Sequence, residues 1–201
     1  MIAGMSYELF SALAVFAFVT SITPGPNNLM LMSSGANFGL RRSVPHMLGI
    51  GAGFVVMILL VGMGLAQVFD RFPISYVVLK IASLIYLCFL AWKIANAAAP
   101  EGSGSTGTPM TFLQAAAFQW VNPKAWTMAL AAISAYAPDQ SLQSIGMVAA
   151  VFGAINLPAV SSWTLLGTAM SRILTNPRRL RAFNWTMAGL LIASLVPVLL
   201  A

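Results

Sequence analysis

Charged side chains divide this chain into long apolar runs. Residues 9–40 contain no Lys, Arg, Asp or Glu, and neither do residues 43–69, 140–171 or 182–201. Two further runs are interrupted internally, 72–95 by Lys80, with Lys93 near its end, and 110–137 by Lys124. A helix that crosses a bilayer needs about 20 mostly apolar residues. The pattern therefore predicts six spans, the first of them long enough to be broken. The runs are continuously apolar and show no period-2 alternation, which argues against membrane strands. The connections between runs are short and are marked by Arg41-Arg42, Asp70-Arg71, Asp139 and the cluster Arg172, Arg178, Arg179, Arg181. The remaining connection, 97–109, contains the run GSGSTGTP and reads as a flexible linker near the middle of the chain.

Composition narrows the class further. Of 201 residues, 59% are hydrophobic and 7% charged, with 10 basic and 4 acidic side chains. That is too little charge to cover the surface of a soluble domain, which carries roughly 25% charged residues. The net charge of +6 is spread too thinly to form a nucleic-acid groove, so no nucleic-acid partner is expected. A single cysteine, Cys88, excludes an internal disulfide, and with the single histidine, His46, it cannot build a zinc cluster. No cofactor motif is present, so no cofactor is expected. The first basic residue is Arg41, which excludes the basic n-region of a signal peptide, so the first span is expected to stay in the mature protein.

With six spans, the first, third and fifth connections share one side of the membrane and hold seven basic residues: Arg41, Arg42, Lys93 and the four arginines of 172–181. The other two hold Arg71, with Lys80 nearby. The positive-inside rule then places both termini outside the cytoplasm.

Three spans precede the linker and three follow it. An odd number per half inverts the second half relative to the first, a common build of secondary transporters. The expected fold is thus an all-α integral membrane protein of six transmembrane helices, two inverted three-helix repeats, with helices one and four broken. The whole chain, 1–201, reads as one membrane domain, with a first repeat over 1–96, the linker over 97–109 and a second repeat over 110–201. Pro24 and Pro123 lie near the midpoints of their runs.

Two motifs sit at these midpoints. In Thr23-Pro24-Gly25-Pro26-Asn27-Asn28, two prolines and a glycine cannot sit in an unbroken helix. Thr23 is expected to cap, and Pro24 to open, a second half-helix. Asn122-Pro123 repeats this grammar in the fourth span. Irregular backbone at membrane depth is tolerated only inside protein or beside a water-filled cavity, so both motifs belong in the interior. Half-helix N-termini carry partial positive charge, and Lys124 adds a full one. No acidic residue sits at that depth to pair with it, which points to an anionic ligand group such as a carboxylate. The carbonyls of Thr20, Ile22 and Gln119, freed at the breaks, are expected to accept from an ammonium group. The combination describes a site for a zwitterion, an amino acid. The alternative is structural: proline kinks are frequent in transmembrane helices, and a lysine can snorkel.

Other features carry less. The glycines of 49–53 and 62–64 read as close-packing stretches. Asn156 and Pro158 resemble a further break in span five. His46, near a span end, reads as a packing or interfacial residue. Trp92, Trp163 and Trp185 fit interface anchors. Met30 and Met32 read as lipid-facing or packing residues, and the arginines of 172–181 as a topology signal in contact with anionic membrane lipid.

The segments ITPGPNNLMLMSSGANFGLRRS at 22–43, GIGAGF at 49–54, YLCFLAWKIA at 86–95 and FQWVNPKAW at 118–126 resemble the LysE/RhtB superfamily of bacterial amino-acid exporters. The TPGPNN form and the AWKIA ending look most like its cysteine/O-acetylserine exporter branch. The resemblance implies a multi-pass protein of the bacterial inner membrane that exports small amino acids or derivatives. It carries over Pro24, Gly25, Pro26 and Pro123 as motif positions, with Asn27, Asn122 and Lys124 beside them. Asn156 stands where many members have an acidic residue. The expected activity is secondary export by alternating access, coupled to an ion, H+ being the expected one. A homo-oligomer is compatible with this pattern. Competing classes are an exporter of basic amino acids or metal cations within the same superfamily, a channel and an intramembrane enzyme. Hard cations want carboxylates, and none lies at the midplane. The lone His46 lacks a nucleophile motif beside it, so the chain is not expected to be an enzyme.

Overall fold

The computed structural model describes residues 6–97 and 108–200. All its regular elements are helical: α1 (Tyr7–Ile22), α2 (Pro26–Leu60) continued by a π-helical turn (Val61–Leu65), α3 (Gln67–Arg71), α4 (Ile74–Ala95), α5 (Phe112–Phe118) followed by a 3-10 turn (Gln119–Val121), α6 (Pro123–Tyr136), α7 (Leu142–Ser171), α8 (Pro177–Ala193) and α9 (Val196–Leu200). Most of the linker expected at 97–109 lies outside the described residues.

Local sequence explains where the helices start. Ser6 caps α1 by accepting from Leu9 N–H at 3.1 Å, with Glu8 in the first turn against the positive end of the dipole. Thr111 and Gln114 form a reciprocal capping box at α5. Asn176 caps α8 ahead of Pro177, so that helix starts five residues before the sixth apolar run and takes in three of the arginines of the fifth connection. The run itself is divided, because α8 stops at Ala193 and α9 starts at Val196.

The 35 residues of α2 would form a rod about 52 Å long, well beyond a hydrocarbon core of about 30 Å. The helix does not continue straight. Gly39 adopts φ 78°, ψ 169°, a backbone open to glycine and costly for other residues. Ser34 Oγ lies 2.7 Å from Ser43 Oγ across it. Nine residues of straight helix would separate them by about 13.5 Å. The chain therefore folds back at Gly39 into two legs, residues 26–38 and 40–60. The turn falls two residues before Arg41-Arg42, which the sequence marks as the first connection.

Span five is not broken. Helix α7 runs without interruption through Asn156 and Pro158. Pro158 removes one backbone donor, and the helix runs on through it, so the break expected there is absent.

Small residues bring α2 and α7 close. A Cβ on Gly35 would lie 2.2 Å from the Thr164 carbonyl oxygen, and one on Gly167 would lie 2.0 Å from that of Met32. On the second leg, Gly49 and Gly53 face the backbone of α5 at Phe112 and Ala116, while Gly51 faces open space. Two cores result. One joins both legs of α2, α4, α5 and α8 through Leu31, Ile50, Leu87, Phe118 and Leu191. The other joins α1, the second leg, α6 and α7 through Leu13, Phe54, Met57, Ala129 and Phe152. Phe152 meets Phe16 and Phe54 edge-on, with centroids 6.1 and 5.4 Å apart. Met30 and Met32 are buried packing residues. Large apolar side chains on α4, including Ile74, Val78, Ile81, Ile85 and Phe89, remain exposed, as expected of a lipid-facing surface.

Candidate functional site

Both expected breaks occur, and they meet. α1 ends at Ile22, and Thr23 closes it, with its backbone N–H still bonded to the Val19 carbonyl at 3.1 Å and its hydroxyl donating to the same oxygen. Gly25 is fully extended, and α2 opens with Gly25 as N-cap and Pro26 at N1. This corrects the expectation that Thr23 and Pro24 would open the second half-helix. Thr23 is spent on the end of α1, and the extended Gly25 separates Pro24 from α2, so the second proline takes the N1 role. At the other break, Asn122 is N-cap and Pro123 N1, as the sequence predicts. Neither N-cap contributes a side-chain hydrogen bond to its helix.

The last carbonyls of a helix have no partner within it. At α1 they are satisfied by side chains from elsewhere in the fold. Asn28 Nδ2 donates to the Ser21 and Thr23 carbonyls, both at 2.8 Å. Trp163 Nε1 donates to the Ile22 carbonyl at 3.0 Å, so Trp163 belongs to the break rather than to a membrane interface. Lys124 Nζ donates to the Thr23 carbonyl at 2.6 Å and to that of Pro24 at 3.4 Å. The expectation that Ile22 and Gln119 would offer free carbonyls to a ligand is therefore overturned: Ile22 is taken by Trp163, and Gln119 accepts from Asn122 N–H at 3.2 Å.

Lys124 thus sits on the negative end of α1 and needs no acidic partner there. An ammonium carries three donors, and these carbonyls occupy two. The two breaks are tied by a reciprocal pair. Asn27 Nδ2 donates to Gln119 Oε1 at 2.8 Å, and Gln119 Nε2 donates to Asn27 Oδ1 at 3.2 Å. Gln119 also donates to the Ala115 carbonyl at 2.9 Å and is fully buried.

A tight cavity of about 20 Å³ lies at this meeting point, lined among others by Ser21, Asn27, Asn122, Lys124 and Asn156. That is room for one or two waters. Two buried acceptors in its wall, Asn122 Oδ1 and Asn156 Oδ1, have no hydrogen-bond partner, while Asn156 Nδ2 donates to Ser21 Oγ at 3.2 Å. A larger cavity of about 720 Å³ adjoins Gly25 and Lys124 and extends along the N-terminal part of α4, past Tyr76, Lys80 and Ser83. Lys124 and Gly25 line both cavities. Lys124 is the sole charged side chain of the smaller one, and it shares the larger with Lys80. Chemically, the site offers a cation with a donor to spare, two unpaired acceptors and two uncapped helix N-termini.

The sequence profile of the LysE type translocator family matches residues 18–200. The chain belongs to the LysE-type translocators. Along 198 residues, 94% of this chain and 95% of the relative, it is 31% identical to the cysteine/O-acetylserine efflux protein of Klebsiella pneumoniae subsp. pneumoniae. Proteins of the same description from Escherichia coli K12 and Shigella sonnei are each 31% identical along 173 residues, covering 84% of this chain and 87% of theirs. No solved structure matches. The chain is therefore a multi-pass membrane transporter and not an enzyme.

In this LysE-type translocator the sequence-selected residues Thr23, Pro24, Gly25, Pro26, Asn27, Asn28, Asn122, Pro123, Lys124 and Asn156 all fall at or beside the meeting point of the breaks. Two members of the arrangement were not visible as such. Gln119 and Trp163 act through side chains that reach across helices, and nothing in their local sequence marks that reach. Their aim depends on the packing of α5 and α7 against the break.

Proposed function

We propose that this translocator is a secondary active exporter of small neutral amino acids or derivatives, of the cysteine and O-acetylserine type, across the bacterial inner membrane. The observation that carries this reading is the pairing of opposite needs in one cavity: the Lys124 ammonium with a free donor, and the unpartnered oxygens of Asn122 and Asn156. A zwitterion answers both, its carboxylate at Lys124 and its ammonium at the two carboxamides, once the helices around the 20 Å³ cavity part to admit it from the larger cavity that Lys124 also lines. Buried polar atoms left unpaired are costly, and a ligand that pairs them recovers that cost. The relatives' names, cysteine/O-acetylserine efflux proteins, support the same substrate class.

The proposed architecture is six spans in two inverted repeats forming one membrane domain, with both termini periplasmic. Three features support it. The breaks recur at Gly25 and Asn122, each followed by a proline at N1. The broken helix of each half packs against the second span of the other, α1 on α7 and α5 on the second leg of α2. The third spans, α4 and α8, pack on one another. In that orientation the 720 Å³ cavity opens from Lys124 toward the periplasm, as the outward half of an alternating-access cycle requires. The proposal includes proton coupling. Export of basic amino acids or metal cations is the weaker reading, because neither cavity is lined by a carboxylate among the described residues.

Uptake of labelled O-acetylserine, cysteine, threonine, lysine and cadmium into inverted vesicles tests this directly. Expected is uptake of the neutral amino acids, abolished by a protonophore. Uptake confined to lysine or cadmium contradicts the substrate class.

A further inference from the structure

A third cavity, of about 230 Å³, lies outside this site. Its walls include Met30, Ser33 and Phe38 on the first leg of α2, His46 on the second leg, and Trp92 and Lys93 near the end of α4. His46 is 2% exposed, and neither Nδ1 nor Nε2 has a hydrogen-bond partner. A neutral imidazole brings one donor and one acceptor, and buried polar atoms nearly always find partners. A residue kept only for its volume here would be better served by an apolar side chain. The cavity it lines is about ten times the size of the smaller one at Lys124, far more than a single water needs. Lys93 is its one fully charged side chain, and no acidic residue lines it among the described residues.

The cavity is also well placed. Met30 follows Pro26 by one helical turn, about 6 Å of rise, so this chamber ends close to the broken-helix site. It adjoins the stretch Leu90–Ala97 of α4 and its end, whereas the large cavity at Lys124 adjoins the opposite stretch, Tyr76–Leu87. The two chambers therefore flank the helix breaks from opposite ends of α4.

We infer that this chamber is a loading site for a small amino acid, held by its carboxylate at Lys93 and by a hydrogen bond to His46, on the side from which substrate reaches Lys124. The ligand's identity rests on the export reading above. In the proposed orientation this is the cytoplasmic side.

The test places a reporter thiol in the chamber without touching His46 or Lys93. Ser33→Cys is made in a Cys88→Ala background and exposed, in inverted vesicles, to the small anionic reagent 2-sulfonatoethyl methanethiosulfonate. Expected is modification of Cys at position 33, slowed by millimolar O-acetyl-L-serine. The protection should persist when Lys124→Met is added. The concentration giving half-protection should rise at least tenfold with His46→Phe or Lys93→Met, and Lys93→Arg should restore part of it. Lys93 is half-exposed, so its variant keeps the test alive where His46→Phe fails to fold. Three results overturn the inference: no modification of native protein that is modified once denatured, no protection by O-acetyl-L-serine, or protection indifferent to both chamber variants. Protection that vanishes with Lys124→Met also overturns it, since the effect then comes from the central site, and in that case the reading of Lys124 stands. Conversely, unchanged export by Lys124→Met with chamber protection intact removes the central reading and leaves this site.

Discussion

Gly25 offers the sharpest perturbation of the helix breaks. A Cβ built there would lie 2.7 Å from Lys124 Cδ and 3.2 Å from Nζ. The backbone at Gly25 is extended, so alanine meets no conformational penalty, and the atoms it meets belong to a flexible side chain. Gly25→Ala should therefore fold. Gly→Ala substitutions at compatible positions even stabilise by about 0.4–1 kcal/mol through the unfolded chain. The methyl instead drives Lys124 off the Thr23 carbonyl that it now holds at 2.6 Å. A hydrogen bond involving a charged group contributes about 1.5–3 kcal/mol. If the displaced ammonium also loses the substrate carboxylate, KM should rise roughly ten- to a hundredfold. The assay is concentration-dependent uptake of O-acetyl-L-serine into inverted vesicles, beside thermal unfolding of the purified variant in detergent. Expected is a raised KM with a melting temperature within about 4 °C of wild type. Gly25→Val should lose export altogether, because its branched side chain fills more of the same space. An unchanged KM in a well-expressed Gly25→Ala variant would refute the placement of Lys124 in the substrate site.

Three further outcomes follow from the packing and the polar pairs. Gly167→Leu must push apart the backbones of α7 and the first leg of α2, where a Cβ would already lie 2.0 Å from a carbonyl oxygen; a loss of about 1–3 kcal/mol or more is expected in thermal unfolding, and a wild-type melting curve would contradict the close crossing. Asn27→Leu strands the fully buried Gln119 and should cost about 1–3 kcal/mol, Gln119→Leu strands the half-buried Asn27 and should cost less, and the double variant should cost less than the sum of the two; strict additivity in a double-mutant cycle would show that the pair is not coupled. A periplasm-specific reporter fused after Ala201 should be active and a cytoplasm-specific one silent; the reverse would overturn the proposed orientation.

Much of this was legible because membrane constraints write themselves into sequence. Charge placement alone separates the apolar runs, and a proline near mid-run marks where a helix can break. The breaks at Gly25 and Asn122 were visible for that reason. The assignment of Thr23 and Pro24 to the second half-helix failed because two prolines competed for N1, and the extended Gly25 decided between them. Arg41-Arg42 marked the first connection to within two residues of the turn, but nothing in the sequence marked the positive φ at Gly39. The expected break at Asn156-Pro158 is absent although the one at Asn122-Pro123 is present: a single proline costs a helix one donor, and its local sequence does not say whether the helix stops there. For His46 the sequence left a packing and an interfacial role open; the fold-back at Gly39 brings the first leg of α2 beside it, and it is buried. Cross-helix partners such as Gln119 to Asn27 and Trp163 to Ile22 depend on three-dimensional packing and have no local signature.

Lys124→Met tests the central claim most directly. The substitution keeps much of the apolar stem and removes a charge that is costly at membrane depth, so the protein should still insert and fold. The measurement is the half-saturating concentration for O-acetyl-L-serine in inverted vesicles, beside that for its carboxamide analogue. Expected is a ten- to hundredfold rise for the free amino acid in Lys124→Met, with the amide carried equally poorly by both proteins and with Lys124→Arg falling between. Equal affinity for the free amino acid in wild type and Lys124→Met would contradict the claim and reduce Lys124 to the cap of helix α1.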